Sequence, residues 1–142
     1  MSHIPKDASW YIAELIERVS VAGDPRLVVH RNLRLIRADS PEAAYTKALA
    51  LGSEGETTYL NPAGQQVSIE FLGLADLSVI YDPLEDGAEI AYTRYIVGSR
   101  QESEQFVRNR NDLTVFAQVP PADGPDYSAK DVVAMLNKPL DG

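Results

Sequence analysis

Residues 27–52 read LVVHRNLRLIRADSPEAAYTKALALG: an apolar-rich run, a helix start signal, and a helix that closes on glycine. Residues 27–38 form a strand. Val29, Leu33 and Leu35 share one face with Arg31 and Arg37, while Val28, His30, Asn32, Arg34 and Ile36 share the other, more polar one. Ser40 then offers a side-chain acceptor to an early helix N–H. Pro41 follows at the first helical position, where its missing N–H costs nothing. Glu42 adds negative charge at the positive end of the helix dipole. Ala44, Ala48 and Leu51 recur at helical spacing with Tyr45 and Leu49 beside them, and the small alanines let the helix lie close on a sheet. Gly52 suits the left-handed position that ends a helix.

Outward from this stretch, WYIAELIERV (residues 10–19) carries apolar residues on both parities. A helix would also accommodate this run; aromatic and β-branched residues at its ends favour a strand, covered in part on each side. The connector 20–26 contains Gly23, Asp24 and Pro25, so strands 10–19 and 27–38 form an antiparallel hairpin. On the other side, residues 57–60 and 66–72 form a second hairpin around Asn61-Pro62-Ala63-Gly64, which has type I turn chemistry. Val67, Ile69 and Phe71 alternate with Ser68 and Glu70. Gly73 interrupts as a bulge, bend or break, and the pattern resumes with Ala75, Leu77, Val79 and Tyr81. After turns at Asp82-Pro83 and Asp86-Gly87, residues 88–97 read as one more strand. The fold class is α+β: a mostly antiparallel sheet in the order β-β-α-β-β-β, with one main helix packed on it.

Residues 1–98 form the core domain and 99–142 a C-terminal extension that docks on the core or serves as an arm. Within the extension, SRQESEQFVRNRND has helical character, LTVFAQV reads as a short strand, and PPADGPD is a linker. Ser128 caps a last helix that Pro139 stops.

The pattern Trp10-Tyr11-x-Ala13-Glu14, with Asn32-Leu33-x-Leu35-Ile36-x-Ala38, Ser40-Pro41-Glu42-Ala43-Ala44 and Lys47-Ala48, resembles the bacterial domain-of-unknown-function family 4288. Phe71-Leu72-Gly73-Leu74-x-Asp76-Leu77 and Tyr81-Asp82 extend the resemblance, which covers roughly residues 9–95. It implies a compact bacterial α+β domain and brings no ligand or catalytic residue with it.

Composition narrows the function. The 142 residues contain no cysteine, which removes disulfides, thiolate metal sites and a cysteine nucleophile, and suits a cytoplasmic location. The first residues lack the apolar core of a signal peptide, and no apolar run is long enough to span a bilayer. Net charge is −8. Residues 1–72 hold seven Lys/Arg against nine Asp/Glu, and residues 73–142 hold six against twelve. An acidic balance of this kind disfavours nucleic acid and membrane as partners; it favours solubility first, and a basic protein partner second.

Chemical motifs are missing. The two histidines, His3 and His30, have no metal-binding spacing, and the chain holds no nucleophile elbow, phosphate loop or dinucleotide fingerprint. No cofactor or metal is expected. Asp76, Asp82, Glu85, Asp86 and Glu89 concentrate negative charge but do not match a calcium loop, and Asp82 and Asp86 sit where turns want them. Arg31, Arg34 and Arg37 concentrate positive charge, and Glu14 and Glu17 on the neighbouring strand are natural partners. The candidate binding residues are His30, Asn32 and Arg34, on one face of one strand.

These residues suit two functions. The first is a non-enzymatic interaction domain, a regulator or an immunity-like protein that neutralises a basic partner. Self-pairing into a homodimer through an edge strand is a second arrangement open to it. The alternative is a small enzyme using His30 with Arg34 in a cleft or at a dimer interface.

Overall fold

The computed structural model describes residues 9–117 and 123–130. The elements are β1 (Trp10–Val21), β2 (Leu27–Arg37), α1 (Pro41–Glu54), β3 (Thr57–Leu60) and β4 (Gln66–Val79). All four strands join one antiparallel sheet in the order β2-β1-β4-β3. This is the α+β arrangement expected from the sequence. The strands that flank α1 in the chain lie at opposite edges of the sheet, so the β2–α1–β3 connection carries the chain from one edge to the other.

The central strand β1 explains its own mixed hydropathy. It is hydrogen-bonded on both sides, and its odd positions Tyr11, Ala13, Leu15, Val19 and Val21 are all buried. Those odd positions face α1. The helix buries Ala44, Ala48 and Gly52, residues four apart that form a small-residue stripe. With Tyr11, Ala13, Leu15 and Ile36 the two alanines make the main core, flanked by Phe71, Leu74, Leu77 and Val79. A second core lies farther along the same face: Val19, Val21 and Val67, with Val28, Tyr59 and Ile69 against them.

The start of α1 matches the sequence reading. Ser40 is extended, and its Oγ accepts from Ala43 N–H at 3.1 Å, with Pro41 opening the helix. The end differs. The sequence marks Gly52 as the terminal glycine, but α1 runs on to Glu54 and Gly55 caps it in a right-handed conformation. Gly52 is instead a buried contact. A Cβ there would lie 2.4 Å from the Phe71 ring. The glycine is fixed by closeness to the sheet and not by the helix end.

At Gly73 the structure selects the bulge among the three options. β4 continues without a break, and its register with β1 shifts between Glu14 and Leu15 and again between Ile16 and Glu17. Leu72 and Ala75 are the extra residues, and Gly73 between them has φ 142°, which a side chain rarely adopts. Each bulge reverses the alternation. Phe71 thus faces the helix, Leu74 opposite Leu15 takes the next core position in place of Ala75, and Leu77 and Val79 resume it.

The strand expected over residues 88–97 is absent; these residues form no ladder. High β-propensity there meets no neighbouring strand, and a strand exists only by pairing. The short strand expected in LTVFAQV is also overturned over its described part, where residues 114–116 are turns. The last helix, capped by Ser128, lies almost wholly outside the described residues.

The chain divides into two compact units, Met1–Ala91 with Gly124–Gly142, and Tyr92–Asp123. In the second, a short helix α2 (Arg100–Glu104) is capped by Ser99, whose Oγ accepts from Glu102 N–H. The Tyr95 and Phe106 rings lie 4.8 Å apart, and the Arg110 guanidinium sits 3.8 Å over Phe116.

The β1–β2 loop gives a pH prediction. Asp24 accepts hydrogen bonds from the Arg26 backbone N–H at 3.0 Å and from its guanidinium at 3.1 and 2.8 Å. These bonds, the side-chain one first, hold the Asp24 carboxyl at about 2, below its ordinary 3.8. The folded state therefore favours the charged form. The resulting stabilisation is complete above the ordinary value and is lost as pH falls through about 2. Carbon-detected NMR titration should place the Asp24 midpoint at about 2, moving up in the Arg26→Ala variant. A midpoint at the ordinary carboxylate value would refute the loop geometry.

Candidate functional site

β2 is an edge strand, and its two faces meet different environments. Register with β1 sets Ile36 opposite Tyr11, Arg34 opposite Ala13, Asn32 opposite Leu15, His30 opposite Glu17 and Val28 opposite Val19. The even positions of β2 therefore lie on the helix-bearing face. Only Ile36 among them is fully buried. The odd positions lie on the outer face, where Leu27, Val29, Leu33 and Leu35 are 57, 60, 64 and 54% exposed. Hydropathy alone would turn these four inward. The sheet does the opposite, because β1 must place Tyr11, Ala13, Leu15 and Val19 under α1, and pairing forces β2 to follow in parity.

The outer face is internally balanced in charge. Arg31 Nη1 lies 3.5 Å from Glu14 Oε1, and Arg18 Nη2 lies 3.0 Å from Glu70 Oε2. Cross-strand pairing between the arginines and Glu14 thus holds for Arg31. Glu17, the other expected partner, is on the opposite face, across from His30. Arg37 stacks its guanidinium 5.8 Å from the Trp10 ring centroid.

His30, Asn32 and Arg34 occupy successive positions on the helix-bearing face, as alternation requires. His30 and Asn32 are half-buried and Arg34 is exposed. The ring beside His30 is that of Tyr127, edge-on at 5.3 Å. Among the described residues no carboxylate hydrogen-bonds His30.

Tyr127 belongs to a tail segment anchored at the β3–β4 turn. Asn61 is completely buried there. Its Oδ1 accepts from Gln65 N–H at 2.9 Å, and its Nδ2 donates to Gln65 Oε1 at 2.9 Å and to the Asp126 carbonyl at 3.0 Å. Gly64, at φ 80°, closes the turn with its N–H on the Asn61 carbonyl at 2.9 Å. The Tyr59 hydroxyl donates to the Tyr127 carbonyl. Burial, then the neighbouring Tyr127 and Asp126, push the Tyr59 hydroxyl above its ordinary value. The Ser128 hydroxyl and N–H donate to the Asp126 carboxylate and hold it below the usual range. Sequence reasoning found the Asn61 turn but not its grip on Asp126, since nothing local ties residues so far apart in the chain.

Concavity is modest. One open depression of about 460 Å³ is lined by Ser9, Arg37, Ala38, Asp39, Ala43 and Lys47 at the start of α1. Lys47 Nζ there donates to the Arg37 carbonyl at 3.1 Å. The acidic turn is a hydrogen-bonded loop in which Asp82 Oδ2 accepts from Glu89 N–H at 3.1 Å. No group of metal-binding side chains converges among the described residues. No helix among them is long and apolar enough to cross a membrane.

A family described as a domain of unknown function, DUF4288, matches residues 10–92. Those residues run from the start of β1 to just beyond the acidic turn, so they contain the whole sheet and α1. Comparison with curated proteins and with solved structures returns no match.

Proposed function

The chain belongs to the DUF4288 family of domains of unknown function, and from that premise we propose that it is a non-enzymatic interaction domain that docks through β2. One observation carries the reading. Four large aliphatic side chains stand more than half exposed, side by side, on an eleven-residue edge strand whose pairing with β1 has no bulge. Proteins usually blunt their sheet edges with short strands, bulges or charges. This sheet does so at its other edge, where β3 has four residues and the part of β4 that β3 does not cover carries two bulges. At β2 only the arginines serve that purpose.

The enzyme alternative draws less from the geometry. A close His30–carboxylate pair in an apolar pocket would favour it, whereas the ring packs edge-on against Tyr127. Regulation or immunity-like neutralisation suits the chain's size and its net charge of −8, which steers a basic partner from a distance. The contact itself has different chemistry, because β2 carries three arginines and no carboxylate. The absence of cysteine supports work in the reducing cytoplasm, and the family resemblance supports a bacterial host.

A photo-crosslinking amino acid at position 33 tests the reading in cells. Adducts are expected there and not with the same group at Tyr45, exposed on α1. Equal labelling at both positions, or none at either, would overturn the interaction reading.

A further inference from the structure

We propose that β2 pairs with β2 of a second copy of this chain, antiparallel and in the register that sets Asn32 opposite itself. The proposal rests on the interaction reading and names its partner.

The strand sequence LVVHRNLRLIR is self-complementary. Laid antiparallel on its twin with every residue paired, Val28 meets Ile36, Val29 meets Leu35, His30 meets Arg34, Arg31 meets Leu33, and Leu27 meets Arg37. Asn32 meets Asn32 at the centre, where two amides can hydrogen-bond. One aliphatic pair falls on each face, Val28 with Ile36 and Val29 with Leu35, the other two leucines fall opposite arginines, and no arginine falls opposite an arginine. Neighbouring registers are worse. Setting Arg31 opposite itself, or Arg34 opposite itself, places like charges in contact. Setting Leu33 opposite itself leaves Leu27 and Val28 beyond the paired strand. A one-residue slip turns the apolar face of one chain to the wrong side. In the full-overlap register the two Arg31 side chains become diagonal neighbours, and each already has Glu14 of its own chain at 3.5 Å.

Electrostatics point to the same strand. Two chains of net charge −8 repel each other, and β2 presents no carboxylate to the approaching copy. Isologous pairing also closes: it uses up the long unbulged edge of each sheet and leaves outermost the four-residue β3 strands and the twice-bulged stretch of β4 beyond them, so the product is a dimer and not a fibre. The eight strands then form one sheet, with the exposed leucines and valines of the two copies in a continuous apolar strip across the junction.

The chain has no cysteine, which makes a cysteine pair a clean register probe. Directly opposite residues have Cα atoms about 4.5–5.5 Å apart, within the span that a disulfide bridges. Under mild oxidation Asn32→Cys should form a covalent dimer at least tenfold faster than Leu27→Cys. The twin of residue 27 lies at the far end of the paired strand, roughly 30 Å away. Sedimentation of the unmodified chain should show a dimer that Leu33→Arg, which sets an arginine opposite Arg31 of the second copy, weakens tenfold or more, with its circular dichroism spectrum unchanged. Moderate salt should tighten the dimer by screening like charges. Equal oxidation rates for the two cysteine variants would overturn the register. A native chain that sediments as a monomer at about 100 µM, far above a typical micromolar affinity, would overturn the dimer. Photo-adducts at position 33 with a different protein, from a chain that is itself monomeric, would leave the interaction reading standing and remove the second copy as its partner.

Discussion

Gly52→Val is expected to lower the stability of the fold by about 2–3 kcal/mol, the upper part of the range for overpacking a core. A Cβ at position 52 would lie 2.4–2.5 Å from three atoms of the Phe71 ring. Either the ring or the helix must move. The ring is held between α1 and β4 against the main core, and moving α1 opens space beneath Ala44 and Ala48, which are fully buried. Helix propensity works in the opposite direction, since valine improves on glycine within a helix by a few tenths of a kcal/mol. The clash outweighs that gain. Urea titration measures the difference, and pairing the variant with Phe71→Ala supplies the control. If the two side chains compete for one space, the double variant should be more stable than the sum of the single losses predicts, by about 1 kcal/mol or more. Strict additivity, or a Gly52→Val midpoint equal to that of the parent, would show that α1 does not lie this close to the sheet.

Asn61→Ala should cost about 2–3 kcal/mol, comparable in size and different in kind. The Asn61 side chain is completely buried and uses one acceptor and two donor interactions. Alanine leaves the Gln65 N–H and the Asp126 carbonyl without that partner, and an unsatisfied buried group costs more than the net contribution of the bond it lost. The effect is also directional. The bond to the Asp126 carbonyl, together with the Tyr59 hydroxyl on the Tyr127 carbonyl, holds the tail segment beside the second core. Amide exchange near Tyr127 should therefore accelerate more than exchange in the centre of β1. Asn61→Asp separates the two contributions, because it keeps an acceptor for Gln65 N–H and abolishes both donors. It should release the tail as fully as alanine does. Uniform acceleration across the sheet, with no preference for the tail, would sink this reading of Asn61.

Legibility in the chain varies by element. The cap at Ser40 and Pro41 is a purely local matter, a side-chain oxygen within reach of the next turn, and the structure has it at 3.1 Å. Gly52 is visible as a special position, but for the wrong cause. A glycine near a helix end is ordinarily a cap, and only the Phe71 ring reveals the close approach. The bulges around Gly73 are legible as an irregularity, but not the exchange of Ala75 for Leu74 in the core, which needs the β1 register. The strand expected at 88–97 has the right residues and no partner.

The candidate site divides in the same way. Strand alternation alone puts His30, Asn32 and Arg34 together, since side chains two apart must share a face. That their face is the helix-bearing one, and that Leu27, Val29, Leu33 and Leu35 are left in solvent, is settled by β1. A strand at an edge has no parity of its own to impose; it takes the parity of the buried strand it pairs with. The tail's anchor on Asn61 is out of reach for a related reason, because it joins residues 65 positions apart. Short-range sterics and hydrogen bonding decide the strands of the hairpins, the capped helix and the small stripe that lets it lie close, and all of these can be read along the chain. Which face of β2 stays open is a property of the assembled sheet. Burial is shared among all the strands of a sheet, and the apolar surface of the central strand outweighs that of the edge.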